Sequence, residues 1–229
     1  EKGYITKEQL GGLEMKWGDA EAANQLLQMI ANRDGFGNVL AEGVKRAAEQ
    51  LGGEAYDCAV FVHKGTAPRG HDHRGRWSEM LDGAVTNIGT IEGGGQQPQE
   101  FGLPESHDPF DPETVAYMLA AMLGKRNFVD SLGACSFTVN TYLELVCHAL
   151  NALTGWNYTK EEAMNFGKRC AAMFRLFNLR CGIGVDLEKP SERYWSTPID
   201  GPAAGTSAKA NWETMVSTYY KTAGWDRET

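Results

Sequence analysis

Segments with a 3.6-residue apolar period recur along the chain, each bounded by a capping residue or glycine, while strand-type alternation is almost absent. That imbalance predicts an all-α fold. From Asp19 to Arg33, Ala23, Leu26, Leu27 and Ile30 share one face, and Gly35 is the expected stop. Leu40, Val44, Ala47 and Leu51 then repeat at helical spacing up to Gly52-Gly53, which completes a helical pair. Thr6 and Gln9 have capping-box spacing ahead of a short turn. Later, Asp111-Pro112 sets an acid before a proline at a first helical position, followed by Val115, Leu119 and Met122. A helix near 141–153 ends at Gly155. Thr159 with Glu162 opens another, whose stripe of Ala163, Phe166, Cys170, Met173 and Phe177 reads as core. A last helix carries Trp212, Met215, Val216 and Tyr219 up to Gly224. No internal repeat is evident.

Between Tyr56 and about Pro109 the character changes. Only Ala59-Val60-Phe61-Val62 resembles a strand, and the rest is crowded with glycine, histidine and proline. Gly93-Gly94-Gly95 is costly to order in a helix. A long irregular stretch inside a compact domain is usually functional, so 57–109 is where substrate access is expected. The expected organisation is the end of one helical domain at 1–56 and a second helical domain at 57–229, which contains the irregular insert.

Charge and cysteines narrow the function classes. Lys and Arg number 22 against 30 Asp and Glu, a net charge of −8 that disfavours a polyphosphate partner. No apolar run reaches the roughly 18 residues of a membrane-spanning helix. The start, Glu1-Lys2-Gly3-Tyr4, has no initiating Met and no signal-type apolar stretch, so the chain reads as one entered midway. The five cysteines are scattered and odd in number, which fits thiols in a reducing cytoplasm. Without a Cys-x-x-Cys, the chain supplies at most one or two ligands to a metal site completed elsewhere. Cys147, His148, Cys170 and Cys181 fall in or beside helices and read as packing residues.

Two groups of residues could carry chemistry. Asp130-Ser131-Leu132-Gly133-Ala134-Cys135 lies between helices and offers a carboxylate, a glycine permitting close backbone approach, and a thiol. A carboxylate accepts hydrogen bonds from an amino-heterocycle such as a pterin, and a thiolate ligates iron. Taken alone, a capping acid and a small buried cysteine explain the same residues. His63, His71, His73 and His107 cluster in the irregular segment; His71-x-His73 could ligate a divalent metal, although loop imidazoles rank ahead of a dedicated site.

Several ordered matches give the loop its context. Gly3-Tyr4-Ile5-Thr6, Trp17-Gly18-Asp19, Gly37-Asn38-Val39-Leu40-Ala41-Glu42-Gly43, Asp72-His73-Arg74-Gly75, Asp130-x-x-Gly133-Ala134-Cys135, Arg175-x-Phe177-Asn178-x-Arg180-x-Gly182 and Gly224-Trp225-Asp226 occur in one order. Over nearly its whole length the chain thereby resembles the carboxy-terminal part, domains 2 and 3, of the aldehyde ferredoxin oxidoreductase family of tungsten–pterin enzymes. The resemblance implies that Asp130 holds a pterin ring and that Leu132, Gly133 and Ala134 give close backbone contact, Ala134 standing where the family usually has Leu. It also implies that Cys135 is the fourth ligand of a [4Fe–4S] cluster. The other three cluster cysteines and the first pterin motif belong to a missing amino-terminal domain, so this fragment is expected not to retain tungsten (or molybdenum) bis-molybdopterin or the cluster by itself.

The same resemblance places Asp72-His73-Arg74-Gly75 on the approach to the cofactor, with His71 and His73 as acid–base or substrate-positioning groups. The stretch Asn87-Ile88-Gly89-Thr90-Ile91-Glu92 aligns with one that ends in a histidine near tungsten in aldehyde-oxidising members. Glu92 stands in that place, as a proton donor if a desolvated pocket raises its pKa. The implied parent is a cytoplasmic oxidoreductase interconverting aldehydes and carboxylates, with electron transfer to ferredoxin or an iron–sulfur partner subunit. The alternatives are a tungsten-dependent aromatic acyl-CoA (benzoyl-CoA type) reductase subunit, towards which the Glu92 departure leans, and a non-catalytic helical interaction module. Apolar surface left bare by the missing domain could support a homodimer.

Overall fold

The computed structural model describes residues 2–88, 98–135, 137–139 and 141–227. Its α-helices, in chain order, are α1 (Ala20–Asn32), α2 (Gly37–Leu40), α3 (Val44–Leu51), α4 (Gly53–Cys58), α5 (Trp77–Val85), α6 (Pro112–Ala121), α7 (Leu123–Ser131), α8 (Leu143–Thr154), α9 (Lys160–Arg180) and α10 (Ala208–Ala223). Short 3₁₀ turns lie at His73–Gly75, Pro98–Phe101 and Val185–Leu187. No strand occurs among the described residues, so the all-α expectation stands. The chain forms two compact units, Glu1–Arg69 with Pro190–Tyr194, and Gly70–Lys189 with Trp195–Thr229.

The first unit reaches past Tyr56 because the segment after α4 is tied to a returning strand of chain. Phe61 and Val62 are fully buried. The Ser191 hydroxyl donates to the Ala59 carbonyl at 2.7 Å, and the Phe61 N–H donates to that hydroxyl at 3.2 Å. The expected strand at Ala59–Val62 is therefore a plug: Val62 makes only an isolated bridge with Pro190, which has no N–H to extend a ladder. Two helix boundaries also differ from expectation. Helix α1, capped by Asp19 accepting from the Ala22 N–H at 2.9 Å, stops at Arg33, which itself takes the left-handed conformation (φ 55°) before Gly35. The expected helix through Leu40 and Leu51 is broken into α2 and α3 at Gly43, whose φ of 87° suits only glycine.

In the second unit α7 packs on α9 and α10 on α6. The α7–α9 crossing is made backbone to backbone. A Cβ on Gly167 would fall 1.8 Å from the Gly124 carbonyl oxygen, and one on Gly124 would fall 2.3 Å from that of Met164. Only a face of small residues allows this approach, so α9 turns Ala163, Gly167 and Ala171 inward. The larger stripe expected to be core is displaced outward: Met173 is 71% exposed and Phe177 65%. The expectation that both are core is thus overturned, and Cys170, half-buried, lies between the two faces.

The expected irregularity of 57–109 is interrupted by α5, which buries Trp77, Met80, Leu81, Asp82, Ala84 and Val85. A helix buried nearly all round carries no amphipathic period to read. On the other side, α10 buries Met215, Tyr219 and Tyr220, and Glu188 receives Arg175, the Tyr220 hydroxyl at 2.6 Å and, on its carbonyl, the Trp212 indole N–H at 3.3 Å.

Helix α9 opens with a full capping box. The Glu162 N–H donates to Thr159 Oγ1 at 3.2 Å, and the Thr159 N–H donates to Glu162 Oε2 at 2.9 Å. That backbone hydrogen bond, followed by the Thr159 hydroxyl, holds the Glu162 carboxyl below its usual range. Replacing Thr159 by Ala is expected to cost about 1 kcal/mol, read as a lower urea midpoint at unchanged slope. Because the folded pKa of Glu162 is depressed, its share of the cap is present above the ordinary carboxylate range near ~4.3 and is lost as pH falls through the lower folded value. An unchanged midpoint would show that the cap does not contribute to global stability.

Candidate functional site

The loop predicted to carry chemistry begins inside a helix. Asp130 occupies the last turn of α7, with its side chain 42% exposed and Arg126 Nε 3.5 Å from its Oδ2. The helix closes as the Leu132 N–H donates to the Val129 carbonyl and the Gly133 N–H donates to that of Asp130, at 3.1 and 3.0 Å. Gly133 has a φ of 71° and open space where a Cβ would stand, so its backbone can be approached closely. Ala134 turns inward against the cluster of Phe128, Val129, Leu143 and Val146. Leu132 and Cys135 are exposed, and the Cys135 carbonyl accepts from the Thr138 and Val139 N–H groups at 2.9 Å each. The alternative of a buried Cys135 is excluded.

The two helices that flank this loop are joined by one carboxylate that the sequence did not single out. Glu100 Oε2 lies 2.8 Å from Lys125 Nζ on α7, and Oε1 accepts the Leu143 N–H at the start of α8. Lys160, at the start of α9, donates to the Glu100 carbonyl. The Glu100 and Lys125 side chains are almost wholly buried. A buried pair held by further hydrogen bonds fixes geometry more than it stabilises. Glu100 therefore ties α7, which ends in Asp130, to the start of α8, on either side of the segment that holds Cys135.

Of the four histidines in the irregular segment, His71 and His73 meet elsewhere in the same unit, whereas His63 belongs to the first unit. His71 Nδ1 and His73 Nε2 each lie 3.2 Å from Glu79 Oε2. His73 is only 2% exposed, in the 3₁₀ turn that Asp72 caps, and Arg76 donates to Glu79 Oε1 at 2.9 Å. The loop reading holds for exposed His71 and His107 and for half-buried His63 and fails for buried His73, while the third member of the cluster, Glu79, escapes a periodicity reading because it sits on α5. Glu92 lies outside the described residues. Among the thiols read as packing, Cys147 is buried, and burial, then Glu100, pushes its pKa up. Cys181 and His148 are exposed, since they fall on the outer sides of their segments.

The second unit is thus an all-α unit with an exposed carboxylate, Asp130, and an exposed thiol, Cys135, at a connection between two helices. The chain belongs to the aldehyde ferredoxin oxidoreductase family, whose domains 2 and 3 match over residues 1–229. It is 32% identical, over all of its length, to the tungsten-containing aldehyde ferredoxin oxidoreductase of Pyrococcus furiosus, and 30% to that of Thermococcus kodakarensis. An aliphatic sulfonate oxidoreductase, WOR-like subunit, of Pyrococcus furiosus is 29% identical over 99% of the chain. The chain spans about 38% of the length of the first two relatives. Among solved structures, the active site complex BamBC of benzoyl coenzyme A reductase with 1,5-dienoyl-CoA matches 99% of this chain and 39% of its own at a TM-score of 0.69 and 19% identity, a likeness of fold.

Proposed function

We propose that the chain is the carboxy-terminal part of a tungsten–pterin, iron–sulfur oxidoreductase and supplies half of the cofactor cage from the 130–135 loop. The observation that carries this is the loop itself, an exposed carboxylate and an exposed thiol at a connection between two helices joined by buried Glu100. Their donor chemistry fits the group: Asp130 accepts from pterin N–H groups, the open Gly133 backbone admits a planar ring, and the Cys135 thiolate ligates cluster iron. The bound cofactor supplies the redox chemistry, while these residues bind and orient it. The remaining cage comes from an amino-terminal pterin-binding domain, and the outward Met173, Phe174, Leu176 and Phe177 give that domain apolar surface to cover. Electrons pass to ferredoxin or an iron–sulfur partner subunit.

The substrate pair we assign is an aldehyde and its carboxylate, with reduction of an aromatic acyl-thioester as the second reading. The second is favoured by the acid at Glu92, where aldehyde-oxidising members carry a histidine. Cys135→Ser and Asp130→Asn in the intact protein test the cage. The first is expected to abolish the cluster's paramagnetic signal with helicity unchanged. The second, losing a charged acceptor worth about 1.5–3 kcal/mol, is expected to weaken pterin retention about 10–100-fold. Wild-type cluster and pterin content in both variants would refute the assignment.

A further inference from the structure

We infer that His71, His73 and Glu79 form a binding site for a divalent first-row transition ion of the zinc type. The three candidate ligand atoms lie within 4.8 Å of one another, and each imidazole nitrogen is 3.2 Å from the same carboxylate oxygen. Ligands at about 2.0–2.1 Å from a tetrahedral zinc stand roughly 3.3–3.5 Å apart, so the two imidazole–Glu79 contacts need open only slightly, with the imidazole nitrogens already within 4.8 Å of each other, to admit an ion. Two imidazoles and one carboxylate are a donor set that zinc accepts while keeping a fourth position for water or a further ligand.

The supports are built in. His73 is locked by burial in its 3₁₀ turn, and Glu79 is fixed on the first turn of α5. Arg76 holds the other Glu79 oxygen at 2.9 Å, which orients the carboxylate as an outer-shell partner does. His71, about half exposed, leaves an entry path. Bound there, an ion would fasten the loop before the turn to α5, and both imidazoles would be ligands rather than proton carriers. This inference does not rest on the tungsten reading.

The test uses the intact protein, with Zn²⁺ alone as probe. Protein cleared by a chelator is titrated with Zn²⁺, and zinc, tungsten and iron are measured in the same samples. The expected result is one zinc per chain in the wild type and at least 10-fold weaker binding in both His71→Gln and Glu79→Gln. The zinc X-ray absorption spectrum should show two imidazoles. His71 is exposed enough for its variant to fold, which circular dichroism verifies. Equal zinc in wild type and variants, or none in any, overturns the site whatever the tungsten content.

Discussion

Glu188→Ala is expected to lower the unfolding free energy by about 3–5 kcal/mol, the cost of leaving a buried cation without its partner. Arg175 is 5% exposed and Glu188 2%, so water does not reach the guanidinium once the carboxylate is gone. The Tyr220 hydroxyl loses its acceptor in the same step. Arg175 also lies over the rings of Tyr220 and Trp225, 5.2 and 5.9 Å from their centroids, so a shift of its position disturbs the α10 end as well. Removing all the polar members together, as Arg175→Met, Glu188→Leu and Tyr220→Phe, is expected to recover most of the loss, because no charge is then stranded. Thermal and urea midpoints of the three proteins decide the point. A single variant within about 1 kcal/mol of wild type, where an ordinary hydrogen bond lies, would remove the network from the core.

The network also sets an alkaline limit. Burial first, then the Glu188 charge, pushes the Tyr220 phenol up from its ordinary value near 10. A raised folded pKa means that the contribution is whole below pH ~10 and is lost as pH rises past the unfolded value towards the folded one. Tyr220→Phe should flatten that alkaline fall.

What could be read from the sequence followed from what is local. The Asp19, Asp111–Pro112 and Thr159–Glu162 starts and the Gly224 stop all form as expected, because a cap and its partner lie within four residues. Helices α5 and α7 escaped as helices because both are buried on almost every side, which erases the period. Met173 and Phe177 misled in the opposite sense, since an apolar stripe does not state which body it faces. The Asp130–Cys135 loop was found through ordered family motifs, whereas Glu100 was invisible: its partners Lys125 and Leu143 lie 25 and 43 residues away. Family signatures turn out to mix two jobs. Arg175 and Asn178 hold the fold, Arg175 through Glu188 and Asn178 by donating to the Asn87 carbonyl at 2.8 Å, while Asp130 and Cys135 face outward.

The same separation makes Gly167→Ala informative. In an open helix this change would stabilise by up to about 1 kcal/mol, since alanine has the higher helix propensity. At the α7–α9 crossing the new methyl meets the Gly124 carbonyl, which is backbone and cannot turn aside. Overpacking of this kind costs about 1–3 kcal/mol and more when neither side can yield, so a net loss of roughly 2–4 kcal/mol is expected. Displacement of α7 would relieve the strain, and α7 carries Asp130 at its end and Lys125 in the Glu100 clamp. Loop function should therefore fail together with stability: in the intact protein, Gly167→Ala is expected to lose pterin at temperatures well below its own unfolding midpoint. A stabilised Gly167→Ala protein, or one that unfolds early yet holds its cofactor up to that midpoint, would show that the crossing does not set the loop.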